Sequence, residues 1–301
     1  MSGAACRALA LGLAAALGAL GCGHAGPGAT ADRAAPTRVV RDTEGVEVAL
    51  PQDVRRVVTT VPGLSATVVA LGAGATLVGV SDRDPEGGAL AALPRLPVYP
   101  TIPAERVAAL EPDLVLVDRV LSRGDVAALR ARFPCTFVTD TSHTLDRLRE
   151  SFLRVAEALG VPRRGEALAG ELDAARAQAR VAGRPRVLVL GQVDPPPPYA
   201  IGPKGLLGDM VVAVGAENVA WDLPGPSGPL SSELVVERAP DWILHTGGTF
   251  PDALARAWAS VPAVRARRVA DVGGDLYMQG GPRTAEALRR LAALLSGEGG
   301  R

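Results

Sequence analysis

The residues able to do chemistry are few. Histidine occurs as His24, His143 and His245, tyrosine as Tyr99, Tyr199 and Tyr277, and lysine only as Lys204. A zinc or manganese site needs several imidazoles and carboxylates converging on one ion, and no such spacing is present. His143 lies in Asp140-Thr141-Ser142-His143, which reads as a helix-capping segment with Asp140, Thr141 or Ser142 as the cap. Ser142, His143 and Asp146 are neighbours at one helix start, so they cannot form a nucleophile relay, whose members come from separate segments. Gly72-Ala73-Gly74 follows a helical pattern and precedes a strand, the wrong order for seating phosphate on a helix N-terminus. These observations leave no catalytic set and argue against an enzyme. They leave recognition instead. All three tyrosines, Tyr99, Tyr199 and Tyr277, fall in segments that read as loops. Arg83, Arg119 and Arg283 fall in similar segments, as contacts for an anionic ligand or equally as solvated or salt-bridged residues, and Arg283 at the start of the last helix reads as structural. His245 closes a strand pattern, where an imidazole bonded to backbone is the plainer reading and a residue facing the cleft the alternative.

Two ends of the chain bound the setting. Over 301 residues, 32 basic and 32 acidic side chains balance, which argues against nucleic acid as the partner. Arg7 followed by the apolar run 8–20 has the length of a signal-peptide core and is too short to span a membrane. Ala19-Leu20-Gly21-Cys22 then resembles a bacterial lipobox, with Cys22 as the lipidated residue. The mature chain would sit in the periplasm or cell envelope, anchored to the membrane through Cys22. Processing there removes Cys6 and leaves Cys135 as the one thiol, which excludes an internal disulfide. Residues 23–37 read as a flexible tether with a reach of roughly 20 Å, and His24 lies within it.

The elements that must hold the candidate residues come in two similar sets. Residues 38–50 alternate as an extended pair, and Val57-Val58-Thr59, Leu77-Val78-Gly79-Val80, Leu114-Val115-Leu116-Val117 and Thr136-Phe137-Val138 read as strands separated by short helices. From Arg186 the order repeats. The segment 231–244 echoes 104–116, including Pro-Asp before the strand, and 208–216 echoes 66–73 as a short apolar helix closed by glycine. Strands alternating with helices predict parallel sheets covered on both faces. Between the halves, Leu168, Leu172, Ala175 and Ala179 keep to one helical face, predicting a long helix over about 163–182, roughly 30 Å of rod. The chain thus divides into a leader (1–21), a tether (22–37), a first α/β lobe (38–160), a linking helix (161–184) and a second α/β lobe (185–301). A ligand would lie between the lobes.

The helix–Pro-Asp–strand unit at 104–117, its twin at 231–244, the single linking helix, and the run Tyr199-Ala200-Ile201-Gly202, Leu206-Leu207-Gly208-Asp209 and Gly215-Ala216-Glu217-Asn218-Val219 resemble the substrate-binding proteins that serve ABC importers of cobalamin, ferric siderophores and haem. The resemblance implies two Rossmann-like lobes in the class III periplasmic binding protein fold. It implies an ABC permease and ATPase as partners and a transported corrinoid, or an iron chelate or haem, rather than a resident cofactor. An orphan ligand-binding or sensory lipoprotein is the further alternative. Tyr99, Tyr199, Asp275 and Tyr277 fall where relatives binding vitamin B12 line their cleft, and Arg83 and His245 complete the expected ligand-binding set. Glu233 matches the acidic residue that docks the second lobe onto permease arginines. At the matching place in the first lobe stands Ala66, with Glu86 the nearest substitute. Trp221 lies close in sequence to the tryptophan expected near Ser227.

Overall fold

The computed structural model describes residues 37–99, 101–193, 198–277 and 279–297. The leader, Cys22 and the prolines at 195–197 lie outside the described residues. The predicted extended pair is a hairpin of β1 (Thr37–Arg41) and β2 (Glu47–Pro51), antiparallel with Arg38 opposite Leu50. A first sheet follows from β3 (Val57–Thr59), β4 (Leu77–Ser81), β5 (Arg95–Leu96), β6 (Leu114–Asp118) and β7 (Thr136–Thr139), in the order β5-β4-β3-β6-β7 and parallel throughout. Helices α1 (Pro62–Ala70), α2 (Ala104–Ala109), α3 (Arg123–Arg132) and α4 (Leu145–Ala158) cross between its strands. After α5 (Pro162–Gln178), a second sheet is built from β8 (Arg186–Gln192), β9 (Tyr199–Ile201), β10 (Glu217–Asn218), β11 (Ser227–Pro229), β12 (Trp242–His245) and β13 (Val269–Asp271). Its helices are α6 (Leu206–Ala213), α7 (Ser232–Arg238), α8 (Asp252–Ala257), α9 (Pro262–Arg265), α10 (Gly274–Tyr277) and α11 (Thr284–Leu295).

In the second sheet β10, β8, β12 and β13 run parallel, in the same relative order as β4, β3, β6 and β7. The departure from the repeat is the antiparallel pair β9 and β11, added beside the carboxyl half of β8. The repeated Pro-Asp has one job in both halves. Glu111 and Ala239 each hold a left-handed backbone (φ 42° and 43°) that turns the chain out of the preceding helix. Asp113 then accepts hydrogen bonds from the Arg55 and Arg56 amides at 2.9 and 3.0 Å, and Asp241 accepts one from the Arg186 amide at 2.8 Å. Each carboxylate therefore ties the start of one central strand to the next, pinning β6 to β3 and β12 to β8. Leu114-Val115-Leu116-Val117 is buried on every residue, as a parallel strand covered on both faces must be.

The linking helix is shorter than its pattern predicts. It ends at Gln178, because Ala179 turns to an extended backbone (ψ 101°) and the Arg180 guanidinium folds back onto the Arg176 and Ala179 carbonyls, at 2.5 and 3.0 Å, while reaching the Ala213 carbonyl at 2.6 Å. Val181 then bonds to the Val214 carbonyl, so the chain enters the second lobe along α6 instead of continuing as a rod. Nor is α5 the sole connection. One apolar core runs from Val40 through Leu168, Leu172 and Ala175 of α5 to Leu206, Met210, Leu288 and Leu291. A separate core in the second lobe gathers around Val219, Ile243 and Trp258. Across the lobes, the Leu206 amide donates to the Ser142 carbonyl at 3.2 Å, and Asp209 on α6 caps α4 by accepting from the Leu145 amide at 2.8 Å.

The tightest inter-lobe contact is backbone on backbone. A Cβ on Gly280 would stand 1.8 Å from the Thr141 oxygen, and one on Gly63 would stand 2.1 Å from the Gly280 oxygen. Gly280→Ala is expected to lower the melting temperature by roughly 4–10 °C, since no rotamer relieves a clash with a main-chain atom. Gly170→Ala, in α5 with open space around it, is expected to raise it slightly by removing unfolded-chain freedom. Thermal melts followed by circular dichroism of the two variants check both signs.

Candidate functional site

Parallel strands send their following loops out of one edge, so the sheet topology decides which candidates meet. Arg83 follows β4, Tyr99 follows β5, Asp118 ends β6, and Thr141 and Ser142 follow β7. In the second sheet Tyr199 pairs with Gln192 at the end of β8, and His245 ends β12. These positions all lie at the carboxyl edges of the two sheets, where the lobes also touch. A cavity of about 160 Å³ opens there, lined by Val61, Pro62 and Gly63 at the start of α1, by Arg83, Asp118, Val120, Thr141 and Ser142, and by Gln279 from the second lobe. It therefore sits on the seam between the lobes.

Its floor is acidic and fully bonded. Asp118 is buried, yet its Oδ2 accepts from the Thr141 amide at 2.7 Å and the Thr141 hydroxyl at 2.8 Å, and its Oδ1 accepts from the Val120 amide and the Ser142 hydroxyl, both at 3.0 Å. Those donors hold the β6 and β7 loops in one arrangement and offset the cost of a buried charge. Behind the cavity, Ser65 on α1 donates to Asp84 Oδ2 at 3.0 Å and meets the Thr59 hydroxyl at 2.6 Å, while Asp84 Oδ1 is buried with no partner among the described residues. Desolvation accordingly pushes the Asp84 carboxyl above the usual carboxylate range, against the opposing hydrogen bonds and Arg95. Burial does the same to Asp209.

The candidate residues divide. Tyr99, in the loop after β5, and Tyr199, which opens strand β9 where the sequence reads as a loop, are 78% and 44% exposed. Arg83 is exposed at the cavity wall. Tyr277 is not a loop ring: it closes α10, is 5% exposed within the main core, and burial pushes its phenol up. The apolar run after Asp275 is therefore core-facing, which loop composition did not reveal; the side chain of Asp275 lies outside the described residues. His245 is 4% exposed, shielded on one side by the Phe250 ring at 5.8 Å, so it does not stand open to a cleft. The cap of α4 is Thr144, which accepts from the Arg147 amide at 3.3 Å, leaving Asp140, Thr141 and Ser142 free for other bonds. Arg119 lies 4.0 Å from Asp140, and Arg283 pairs with Glu286 at 3.2 Å. Trp221 is exposed beneath the Arg238 guanidinium, 5.8 Å from the ring centre. Asp118, Thr141, Ser142 and Gln279 were not foreseen as lining residues. The one signal in the sequence was an acid ending an otherwise apolar strand, Leu114-Val115-Leu116-Val117-Asp118.

The glycine-rich segment of the second half proves structural. A Cβ on Gly208 would stand 1.9 Å from the Gly202 oxygen, and Asn218 bridges the Ile201 carbonyl and the Ala220 amide, both at 2.9 Å. These bonds seat α6 against the second sheet and so aim Asp209 at α4.

A family model described as periplasmic binding protein matches residues 57–276. An uncharacterized ABC transporter substrate-binding lipoprotein, YvrC, of Bacillus subtilis is 25% identical over 84% of this chain and 83% of its own. A vitamin B12-binding protein of Pectobacterium carotovorum is 28% identical over 82% and 90%. Among solved structures, the periplasmic heme-binding protein RhuT from Roseiflexus sp. RS-1, in apo form, is similar with a TM-score of 0.71 and 29% identity, covering 82% of this chain and 100% of that one.

Asp84 generates a pH prediction. Its folded pKa lies above the unfolded value, so the folded chain holds more protons between the two, and its stabilising contribution is present below the ordinary carboxylate pKa and lost as pH rises through the folded one. Asp84→Asn is expected to melt roughly 2–4 °C higher than wild type at pH 7, with the gap narrowing toward pH 4. Parallel melts across that range test it; a gap that widens on acidification overturns the assignment.

Proposed function

Since this chain belongs to the periplasmic binding protein family, in its class of ABC-importer substrate-binding proteins for cobalamin, haem or siderophores, we propose that it carries a corrinoid of the vitamin B12 type between its lobes. The observation that carries this reading is the pair of exposed tyrosine rings, Tyr99 and Tyr199, one on the carboxyl edge of each sheet. Two such rings can cover the apolar faces of a flat macrocycle, and the cavity on the seam, with hydroxyl, amide and guanidinium groups on its wall, has the size of one polar side arm. The similarity to a vitamin B12-binding protein supports it. Haem is the second reading, favoured by the similarity to a heme-binding protein across the whole of that chain. Arg83 at the cavity wall suits the anionic arms of haem or of a ferric siderophore.

The rest of the proposal concerns the setting. Cys22 anchors the chain to the membrane at the cell envelope, as the name of the Bacillus lipoprotein supports for a relative. The lobes are the segments 38–160 and 185–301, joined by the helix within 161–184, and their continuous core and glycine contact favour small opening motions. Glu233 docks onto the permease. It is exposed in the first turn of α7, where its own backbone N–H and the Ser231 hydroxyl hold the carboxyl below the usual range, so its charge is present at neutral pH. Its first-lobe counterpart, Ala66, is exposed on α1 and uncharged.

Calorimetric and tryptophan-fluorescence titrations with cyanocobalamin, haemin and ferric siderophores test the cleft. One-to-one cobalamin binding, weakened about tenfold or more by Tyr99→Ala and by Tyr199→Ala, is expected; binding of an anionic chelate alone, lost in Arg83→Ala, replaces the corrinoid reading. Glu233→Ala is expected to leave ligand affinity intact while reducing stimulation of the permease ATPase in proteoliposomes. Lost affinity would overturn the docking role, and no stimulation by wild type would mark a binding protein outside transport.

A further inference from the structure

The amino edge of the second sheet carries a charge that the reading above does not use. Arg265, Arg267 and Arg268 are exposed in the turn between α9 and β13, and no ion pair engages any of them among the described residues. From 256 to 270 the chain holds four arginines and no acid, although over its whole length 32 basic residues balance 32 acidic ones. Beside the turn, Arg184 and Arg186 share one acid, Glu217, at 3.9 and 3.6 Å, and Asp241 is taken up by the Arg186 amide at 2.8 Å. Positive charge is therefore in excess at this edge. Arg106, Arg123 and Arg163 are also exposed without an ion pair among the described residues, but they lie on three separate helices.

The turn is fixed by its own backbone. Arg267 keeps a left-handed conformation (φ 55°), its amide donates to the Val264 carbonyl at 3.1 Å, and the Arg268 amide donates to the Ala263 carbonyl at 2.8 Å. The Arg268 carbonyl accepts from the Ile243 amide at 2.9 Å, which ties the turn to β12. The Arg268 guanidinium lies over the partly buried Trp242 ring, 5.8 Å from its centre. Strands β8, β12 and β13 are neighbours, so Arg186, Trp242 and Arg268 stand side by side at three strand starts, a row roughly 10 Å wide by strand spacing. Guanidiniums this close repel one another, and a surface of phosphates offsets that repulsion while offering each a forked pair of acceptors. A tryptophan with a guanidinium over it suits a bilayer interface, its apolar body beneath and its polar partner among the headgroups.

We propose that the turn at 265–268, with Arg184, Arg186 and Trp242, is a docking surface for the phosphate headgroups of an anionic bilayer. From the reading above the inference takes only the membrane setting that an anchor at Cys22 gives, and its test needs no anchor. The patch lies at the opposite edge of the sheet from Tyr199 and His245, so contact there leaves the seam between the lobes uncovered.

The test mixes the chain, freed of its leader and carrying Cys22→Ser so that it cannot be lipidated, with phosphatidylglycerol or phosphatidylcholine vesicles and sediments them. Binding to the phosphatidylglycerol vesicles alone, falling as salt is raised, is expected. Arg265→Gln and Arg267→Gln, which break no ion pair of the fold, should each weaken it about fivefold, and adding Arg268→Gln should weaken it further. Arg265→Lys, Arg267→Lys and Arg268→Lys together keep the charge and should keep the binding, which guards against a folding defect. Arg106→Gln, Arg123→Gln and Arg163→Gln together remove the same charge elsewhere and should bind as wild type does. If that control weakens binding as much as the triple glutamine variant of the turn, net charge alone is responsible and the inference is overturned. Equal binding to both kinds of vesicle, or retention of an oligonucleotide with no binding to either, overturns it too. The macrocycle reading is untouched by any of these results, since it is decided by the ligand titrations.

Discussion

Backbone touching backbone at Gly63, Gly280 and Thr141 fixes where the two lobes meet, and the geometry of the site follows from it. Side-chain contacts can be renegotiated by rotamers, but a main-chain oxygen 1.8 Å from where a Cβ would stand cannot. The contact lies at the start of α1, at the loop after β7 and at the loop before α11, so it joins the carboxyl edges of both sheets. Asp209 capping α4 and Leu206 bonded to Ser142 hold the same line from the side of α6. With the core continuous through α5, the lobes share a wall as well as a strut. Main-chain contacts and a shared core together limit how far the lobes can move apart.

What the sequence made legible was whatever rests on local pattern. Buried strands are runs of Val and Leu, and the doubled helix–Pro-Asp–strand unit marks the internal repeat, because one chemical task, tying neighbouring strand starts with a carboxylate, recurs at Asp113 and Asp241. Two parallel sheets follow from that, while the order of their strands is seen only in the structure. The end of α5 was harder to see, since Arg180 looks like one more helical residue until its guanidinium is found on the Ala213 carbonyl of another element. β9 and β11 were hidden for a related reason: strands of three residues carry too little periodicity to declare a direction.

The site was legible only by residue type. Tyr99 and Tyr199 stand out because tyrosine is scarce here, and both are exposed at the sheet edges. Tyr277 carries the same label and faces the core, because α10 is a short turn whose inward side composition does not announce. Asp118, Thr141 and Ser142 meet only through the pairing of β6 with β7, a contact across some twenty residues of chain that no spacing rule encodes.

The two buried acids near the seam show how the same side chain serves opposite ends. Asp118 is surrounded by donors and supports the loops it bonds; Asp84 has one bonded oxygen and one without a partner, and desolvation pushes its pKa up. The cavity therefore has a carboxylate floor whose oxygens are already bonded by its own loops, beside the exposed Arg83 side chain.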